Sequence, residues 1–430
     1  MNEVAENSED KATKRLITIH SQKGGVGKTL IALYLARKFA QQEEGVLGLR
    51  TVLVDADLTG TSLAEAVPLC APKPDGAEFF NLEATHDELR KISEVQHPSR
   101  PWPNPETNRI KFLNDILFSD PIRYNKFMEK DEKKQHPNFR KRHMLWKVDE
   151  RAGADDDTAL ELDRLRVIPS SGLPRHVARC VPYIYKETAT AFLRRRLVEV
   201  VLSLFNEKWD GTDPFDVIVI DTPPVLHGVS RAVLELHDAV ATEKNSFQDR
   251  GKSFPHLTHS ALLMSSADRQ HVVATVRALD DLLFHREEAA PGSRKGNPMQ
   301  EGTPADLRLL LVINRIPENK EVSLPEYVVP AGTSSTVTLK DSALARQHYA
   351  CVYESLYSPR CAALRRPHEA KENSAFHSLP PFFAEPERTF TVPLSSDLAG
   401  IYADDLGMKK YLYSQEIEDL KDLCEVMTHE

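Results

Sequence analysis

The stretch Ser21-Gln22-Lys23-Gly24-Gly25-Val26-Gly27-Lys28-Thr29 decides how the rest of this 430-residue chain is read. Before it, Arg15–His20 (RLITIH) alternates and is rich in β-branched residues, the pattern of a buried strand. After it, Leu30–Ala40 continues as an amphipathic helix carrying Leu30, Ile31, Leu33, Tyr34 and Phe39. Strand, glycine-rich turn and helix in that order is the context a phosphate-binding loop needs. Three glycines let backbone N–H groups turn inward toward an anion, and the helix N-terminus adds a favourable dipole. Lys28 is spaced to reach β- and γ-phosphates, and the Thr29 hydroxyl to bind Mg²⁺. A turn that binds nothing has no packing use for these two residues, so the stretch predicts a bound nucleoside triphosphate.

The loop departs from the usual G-x-x-x-x-G-K-[ST] pattern. Gln22 stands at the first glycine position, and Lys23 adds a second lysine before the double glycine. This K-G-G-x-G-K-[ST] form resembles the deviant Walker A loop of the ParA/MinD superfamily, in the SIMIBI class of P-loop NTPases, and QKGGVGKT is close to the ParA version. The resemblance implies an ATP site built from Lys23, Gly24, Gly25, Val26, Gly27, Lys28, Thr29 and Leu30. It also implies that Lys23 contacts phosphate across a dimer that sandwiches ATP.

Arg50–Val54 (RTVLV) reads as a second strand and ends in Asp55-Ala56-Asp57. Carboxylates at the C-terminal end of a strand lie in the crevice where doubly wound sheets bind ligands. In the resembling family such a pair supplies a Mg²⁺-linked aspartate and an aspartate that orients the attacking water. That implies the first role for Asp55 and the second for Asp57. The next residues, Leu58-Thr59-Gly60-Thr61-Ser62, are similar to the Mrp and MinD branches. Phe215–Ile220 (FDVIVI) is the apolar run of a strand buried on both faces. It leads into Asp221-Thr222-Pro223-Pro224, which resembles a Walker B segment in which Asp221 holds Mg²⁺ through water. Bacterial tyrosine kinases of the superfamily share that motif. They lack the extra lysine and end in a tyrosine cluster, whereas this tail has only Tyr402, Tyr411 and Tyr413. Asn314, after Leu307–Ile313 (LRLLLVI), resembles the family's adenine-reading asparagine, since an amide offers both donor and acceptor. An asparagine capping a turn fits the same position. The expected catalytic set is therefore Asp57, Lys23 and Lys28, and the expected metal set Thr29, Asp55 and Asp221.

Arg166–Pro169 (RVIP) and Ser260–Met264 (SALLM) add two more strands, and Thr391-Val392-Pro393-Leu394 matches the family's last strand and adenine-side loop. Glu187–Phe205 places Phe192, Leu193, Leu197, Val200, Val201 and Leu204 on one helical face, and a further helix is predicted over Arg269–Phe284. The expected fold is α/β, a doubly wound and mostly parallel sheet with flanking helices. Residues 1–14 read as a polar tail. Residues 15–430 read as one ATPase domain, interrupted at about 71–163 and 317–387 by insertions longer than a minimal ATPase of this kind needs. Proline outnumbers glycine, 28 to 18, and gathers in Pro98–Pro137 and Pro317–Pro386, which marks both insertions as irregular.

Within Arg123–Lys147, nine Lys/Arg stand against three acids, with Tyr124, Phe127, Phe139 and Trp146 between them. Basic residues with aromatics suit phosphate contacts and base stacking, although a solvated surface over a few buried aromatics has the same composition. The adjoining Asp149–Asp163 holds seven acids and could pair with it. Arg194-Arg195-Arg196, on the back of its helix, is a second place for DNA. The net charge of −9 forbids neither, because local patches decide. The C-terminal helix predicted over Tyr411–Met427 carries Leu412, Ile417, Leu420, Leu423 and Val426 on one side. Its polar face is acidic, whereas a membrane anchor of the MinD kind would be basic, so it reads as a packing or partner helix and no membrane is expected.

No run approaches the roughly 18 apolar residues of a membrane span, and the N-terminus is polar and charged. Five scattered cysteines without a Cys-x-x-Cys pair disfavour a disulfide framework or a metal-cluster site. The expected protein is cytoplasmic. The resemblance implies an ATP-hydrolysing, Mg²⁺-dependent homodimer switch whose ATP state binds DNA and/or a protein partner that activates it. A nucleotide-gated interaction subunit of a larger assembly, as in mobile-element or anti-phage machinery, is the alternative that the large insertions favour. A metal-cluster carrier resembling Mrp is supported by DADLTGTS and opposed by the cysteine spacing.

Overall fold

Strand residues alternate between two faces, and along the central strands of this chain both faces are apolar. The computed structural model describes residues 13–41, 48–59, 63–64, 67–73, 79–94, 112–118, 144–149, 162–184, 189–209, 212–236, 239–240, 256–268, 270–271, 274–275, 307–316, 321–323, 336–338, 389–393 and 418–428. In chain order these form β1 (Lys14–Ser21), α1 (Lys28–Ala40), β2 (Thr51–Asp55), β3 (Leu69–Cys70), α2 (Leu82–Glu94), α3 (Leu113–Phe118), β4 (Lys147–Val148), β5 (Leu165–Ile168) and α4 (Pro174–Ile184). They continue with α5 (Thr190–Asn206), β6 (Val217–Asp221), α6 (Val229–Leu234), β7 (Leu257–Ser266), β8 (Leu307–Ile316), β9 (Glu321–Ser323), β10 (Thr336–Thr338), β11 (Thr389–Pro393) and α7 (Glu418–Thr428).

Seven of the strands make one sheet in the order β11-β8-β7-β1-β6-β2-β5, and every pairing in it is parallel. The strand with the glycine-rich turn, β1, is central. Ile17, Ile19, Leu53, Val217 and Val219 face a core shared with α1 and α7. Their neighbours Leu16, Val52, Val54, Ile218 and Ile220 face the other way, into a core closed by α5 and residues of α3, α4 and α6. This is the doubly wound α/β architecture expected. Burying one such leucine or isoleucine contributes about 1.5–3 kcal/mol, so the two cores hold β1 from both sides.

Lys14, assigned to the polar tail by its charge, instead opens β1. Its ammonium is buried and donates to Asp216 Oδ1 at 2.9 Å and to the Phe215 carbonyl at 2.6 Å. Leu420, Leu423 and Met427 of α7 pack into the α1 core. Arg15 Nε and Arg308 Nη1 donate to the carbonyls of Met427 and Val426, at 3.2 and 2.7 Å, capping the helix C-terminus with positive charge. Leu412 and Ile417 lie outside the described residues, as do Arg123–Arg142, most of the helix predicted over Arg269–Phe284 and much of both insertions.

The first insertion contributes β4, which pairs antiparallel with β3 just ahead of the insertion, and Trp146 bridges Val167 on the edge strand β5. That bridge occupies the outward N–H and carbonyl of Val167, so this part of the edge is already paired. Beside it Lys147 pairs with Asp163 at 2.8 Å, one link between the basic stretch and the acidic one that follows. In the second insertion β9 and β10 form another antiparallel pair.

Candidate active site

The loop after β1 bends at Gly25 (φ 74°) and Gly27 (φ 88°), in the left-handed region that side chains rarely adopt. Gly27 is also the N-cap of α1, and a Cβ there would lie 2.4 Å from Asn314 Nδ2. No side chain caps α1, and no acid stands in its first turn. A helix that leaves its first N–H groups without a side-chain acceptor presents them to an anion instead. Val26 and Leu30 are buried in the α1 core, so they can serve a ligand only through their backbone. Lys23 and the double glycine are exposed, whereas Lys28 is buried at 7% exposure.

The carboxylates come from the neighbouring strand ends. In the β2–β6 register Asp55 lies opposite Asp221, both fully buried. Thr29 Oγ1 donates to Asp221 Oδ2 at 2.5 Å, while Asp221 Oδ1 is buried without a hydrogen-bond partner. Burial pushes the Asp221 carboxyl up to about 7; Lys28 and Thr29 pull against it, and Asp57 adds to it. Burial, then Asp221, drive Asp55 well above the usual carboxylate range, against a hydrogen bond from Ser170. Two buried carboxylates that both resist ionising, beside a hydroxyl, fit a divalent cation. The unpartnered oxygen of Asp221 is the observation that favours one. Asp55, Asp221 and Thr29 would hold it, and three protein oxygens suffice for Mg²⁺, which keeps several of its own waters.

Asp57 is half-buried. Its Oδ1 accepts from the Thr59 backbone N–H at 3.2 Å and from Thr59 Oγ1 at 2.5 Å, and its own N–H donates to Asp55 Oδ1 at 3.1 Å. The Asp-x-Asp spacing thus gives two carboxylates in different surroundings, Asp55 buried beside Asp221 and Asp57 half-buried.

Asn314 is in the site, but under the loop. Its Nδ2 donates to the Val26 carbonyl at 2.8 Å, and it is 6% exposed. The amide read as contacting adenine is bound to the loop, a form of the backbone-capping alternative. Arg194-Arg195-Arg196 does not make one basic face. Arg194 pairs with Glu235, and Arg196 is buried over the Phe192 ring, close to Glu199. Arg195 alone points out, with 85% of its side chain exposed. The reason is helical geometry: three consecutive residues span most of a turn and cannot share one side.

Several site residues escaped the sequence. Ser170, after β5, donates to Asp55 Oδ2 at 2.8 Å and lies 3.1 Å from the Asp57 carbonyl. The signal was available: β5 ends in the same crevice as β2 and β6, and a serine follows Pro169 there. Gln22, read only as a missing glycine, accepts from the Leu226 N–H at 3.2 Å, tying the loop to the turn after Asp221. Thr18 and His20 are polar residues two apart, alternating with the apolar Ile17 and Ile19 of β1. They join a buried chain in which His20 Nε2 is 2.9 Å from Thr18 Oγ1, and Thr18 Oγ1 is 2.9 Å from His259 Nε2. Burial, then nearby Lys28, push His20 down to about 3, so it is neutral and hydrogen-bonding.

Among the described residues no group of three or more His, Cys, Asp or Glu side chains is placed to hold a metal. Cys70 and Cys180 are buried, and burial pushes the Cys70 thiol up to about 12, away from the thiolate a metal cluster needs. Nor, among those residues, is any helix long and apolar enough to cross a membrane.

Residues 12–92 match the model of the ParA family, described as a NUBPL iron-transfer P-loop NTPase. That span holds the loop, α1, β2, Asp55 and Asp57, and there the likeness to the ParA/MinD superfamily is borne out. No curated protein matches the chain. Solved structures resemble it at low identity, three of them as follows. McdA from Cyanothece in complex with ATP shares 14% identity, with 97% of this chain and 95% of that one covered and a TM-score of 0.40. The cell division ATPase MinD from Pyrococcus furiosus shares 14%, with 96% and 97% covered and a TM-score of 0.39. The MinC:MinD cell division complex from Aquifex aeolicus shares 13%, with 97% and 96% covered and a TM-score of 0.38. At such scores the chain's own residues carry the functional reading.

Proposed function

We propose that this chain is a cytoplasmic ATPase of the ParA/MinD kind, a switch that pairs with a second copy around ATP and in that state engages DNA and/or an activating protein. The observation that carries the reading is the uncapped, glycine-led N-terminus of α1, with buried Lys28 and the Thr29–Asp221 hydrogen bond at its mouth. Backbone N–H groups and Lys28 receive the phosphates, and Lys23, exposed on the loop, is free to approach a second copy's nucleotide. Asp57, steadied by Thr59, orients the water that attacks the γ-phosphate in line. Asp55, Asp221 and Thr29 would hold Mg²⁺, which would neutralise charge developing on the transferred phosphoryl group.

Asp57→Ala should retain ATP and lose phosphate release. Unchanged release from that variant would remove Asp57 from the mechanism. In light scattering, the same variant should rise from 48.5 kDa toward twice that mass only when ATP and Mg²⁺ are both present.

The alternative, a nucleotide-gated subunit of a larger assembly, draws support from one contact. The first insertion reaches the site loop, with the Leu113 N–H donating to the Pro169 carbonyl at 3.0 Å. Salt-sensitive, ATP-dependent binding of duplex DNA by the isolated protein favours the switch; ATP binding without it favours the subunit.

A further inference from the structure

We infer that Ser170 is a positioning residue for the cation-side carboxylate, and that Asn114 of the first insertion holds the Ser170 loop in place, so that the insertion governs cation affinity. The inference deepens the ATPase reading above and rests on it. Asp55 has both oxygens engaged: Oδ1 accepts the Asp57 N–H at 3.1 Å, and Oδ2 accepts the Ser170 hydroxyl at 2.8 Å. Among the described residues, Ser170 is the donor that reaches Asp55 from outside the Asp55-Ala56-Asp57 turn. The same hydroxyl is 3.1 Å from the Asp57 carbonyl. One hydroxyl carries one proton, so the two acceptors share it, and Ser170 sets the orientation of the buried carboxylate and the backbone of Asp57 together.

Ser170 is itself fixed by the insertion. Asn114, on α3, is fully buried and accepts the Ser171 N–H through Oδ1 at 2.7 Å. The preceding Leu113 N–H donates to Pro169 at 3.0 Å, and His176 Nδ1 lies 2.7 Å from Ser171 Oγ. Pro169-Ser170-Ser171 is thus held by buried polar contacts, two of them, from Leu113 and Asn114, supplied by the first insertion and the third by His176 of α4. Groups that orient a metal-binding carboxylate typically change metal affinity 10–100-fold when removed.

The test uses the full chain with ADP and Mn²⁺ as probe ligands. ADP affinity is measured first in EDTA with a fluorescent analogue, then Mn²⁺ is titrated into the ADP complex by electron paramagnetic resonance. Ser170→Ala should weaken Mn²⁺ by roughly 10–100-fold with ADP affinity in EDTA unchanged. Ser170→Thr, which keeps the hydroxyl, should restore it, and Asn114→Ala should shift Mn²⁺ in the same direction by less. Mn²⁺ affinity unmoved by Ser170→Ala overturns the assignment. So does a Thr variant as impaired as the Ala variant, which would make Ser170 a packing residue. A wild-type protein that holds neither ADP nor Mn²⁺ overturns the nucleotide reading and this assignment together, whereas one that holds ADP in EDTA leaves the two separable.

Discussion

Asp216 and Asp221 flank the same strand, and the protein treats them in opposite ways. Asp216, just before β6, is completed by the chain's own cations: Lys14 at 2.9 Å, and Arg50 through Nε at 3.0 Å and Nη2 at 3.1 Å. Burial alone would raise its pKa, but the hydrogen bonds from Arg50 and Lys14 outweigh that and leave it below the usual value. Asp221, at the other end, has a single hydroxyl donor and a buried oxygen with no hydrogen-bond partner, and burial pushes it up to about 7. One end of the strand is finished by folding. The other is left incomplete in a way that an added cation and anion would finish. Buried carboxylates that the fold itself does not satisfy mark where function sits.

The largest effect that would sharpen this contrast comes from Lys28→Ala. It removes the buried cation nearest the incomplete end, and phosphate release should fall by about a hundredfold or more, measured in single-turnover assays. A fall of only a few-fold would mean that Lys28 serves packing. Next come matched substitutions at the two ends. Asp216→Ala should cost about 3 kcal/mol in urea denaturation, because it strands the buried Lys14 ammonium; Arg50, more than a third exposed, adds little to that loss. Asp221→Asn should have the opposite sign, stabilising the metal-free protein at pH 8 while abolishing its response to Mg²⁺. Equal destabilisation by both would break the comparison.

A smaller effect is the pH dependence. Asp221 moves from 3.8 when unfolded to about 7 when folded, so its neutral form contributes stability that is fully present below about 4 and is lost as pH rises through about 7. In EDTA the melting temperature should therefore decline between pH 5 and pH 8. Asp221→Asn should flatten that decline, and Mg²⁺ should raise the melting temperature most at the alkaline end. The smallest effect is expected far from the site: Arg308→Met removes a donor from the C-terminus of α7 and should cost about 1 kcal/mol or less, with turnover unchanged.

The sequence exposed what depends on local spacing. Lys28, Thr29, Asp55 and Asp221 were legible because each ends a strand or begins a helix in a recognisable order, and the apolar runs of β1, β2 and β6 announced a sheet buried on both faces. Hidden were the features set by pairing across long separations. Ser170 reaches Asp55 over 115 positions, and Asn314 meets Val26 over 288. A lysine at position 14 looked like solvated tail because its partner, Asp216, lies 202 residues away. Three consecutive arginines looked like a patch, since charge is visible in a sequence and the side of a helix on which it falls is not.

The central placement of β1 has a consequence for how the protein is made. The phosphate loop ends at Thr29, yet the two strands that flank β1 come from residues 217–221 and 257–266. At ribosomal speeds of about 5–20 residues per second, roughly 10–40 s separate synthesis of the loop from synthesis of the first flanking strand. Through that interval the nascent chain carries β1 and its glycine-rich segment with neither of the strand's sheet partners made, and this is the window in which a chaperone would meet it.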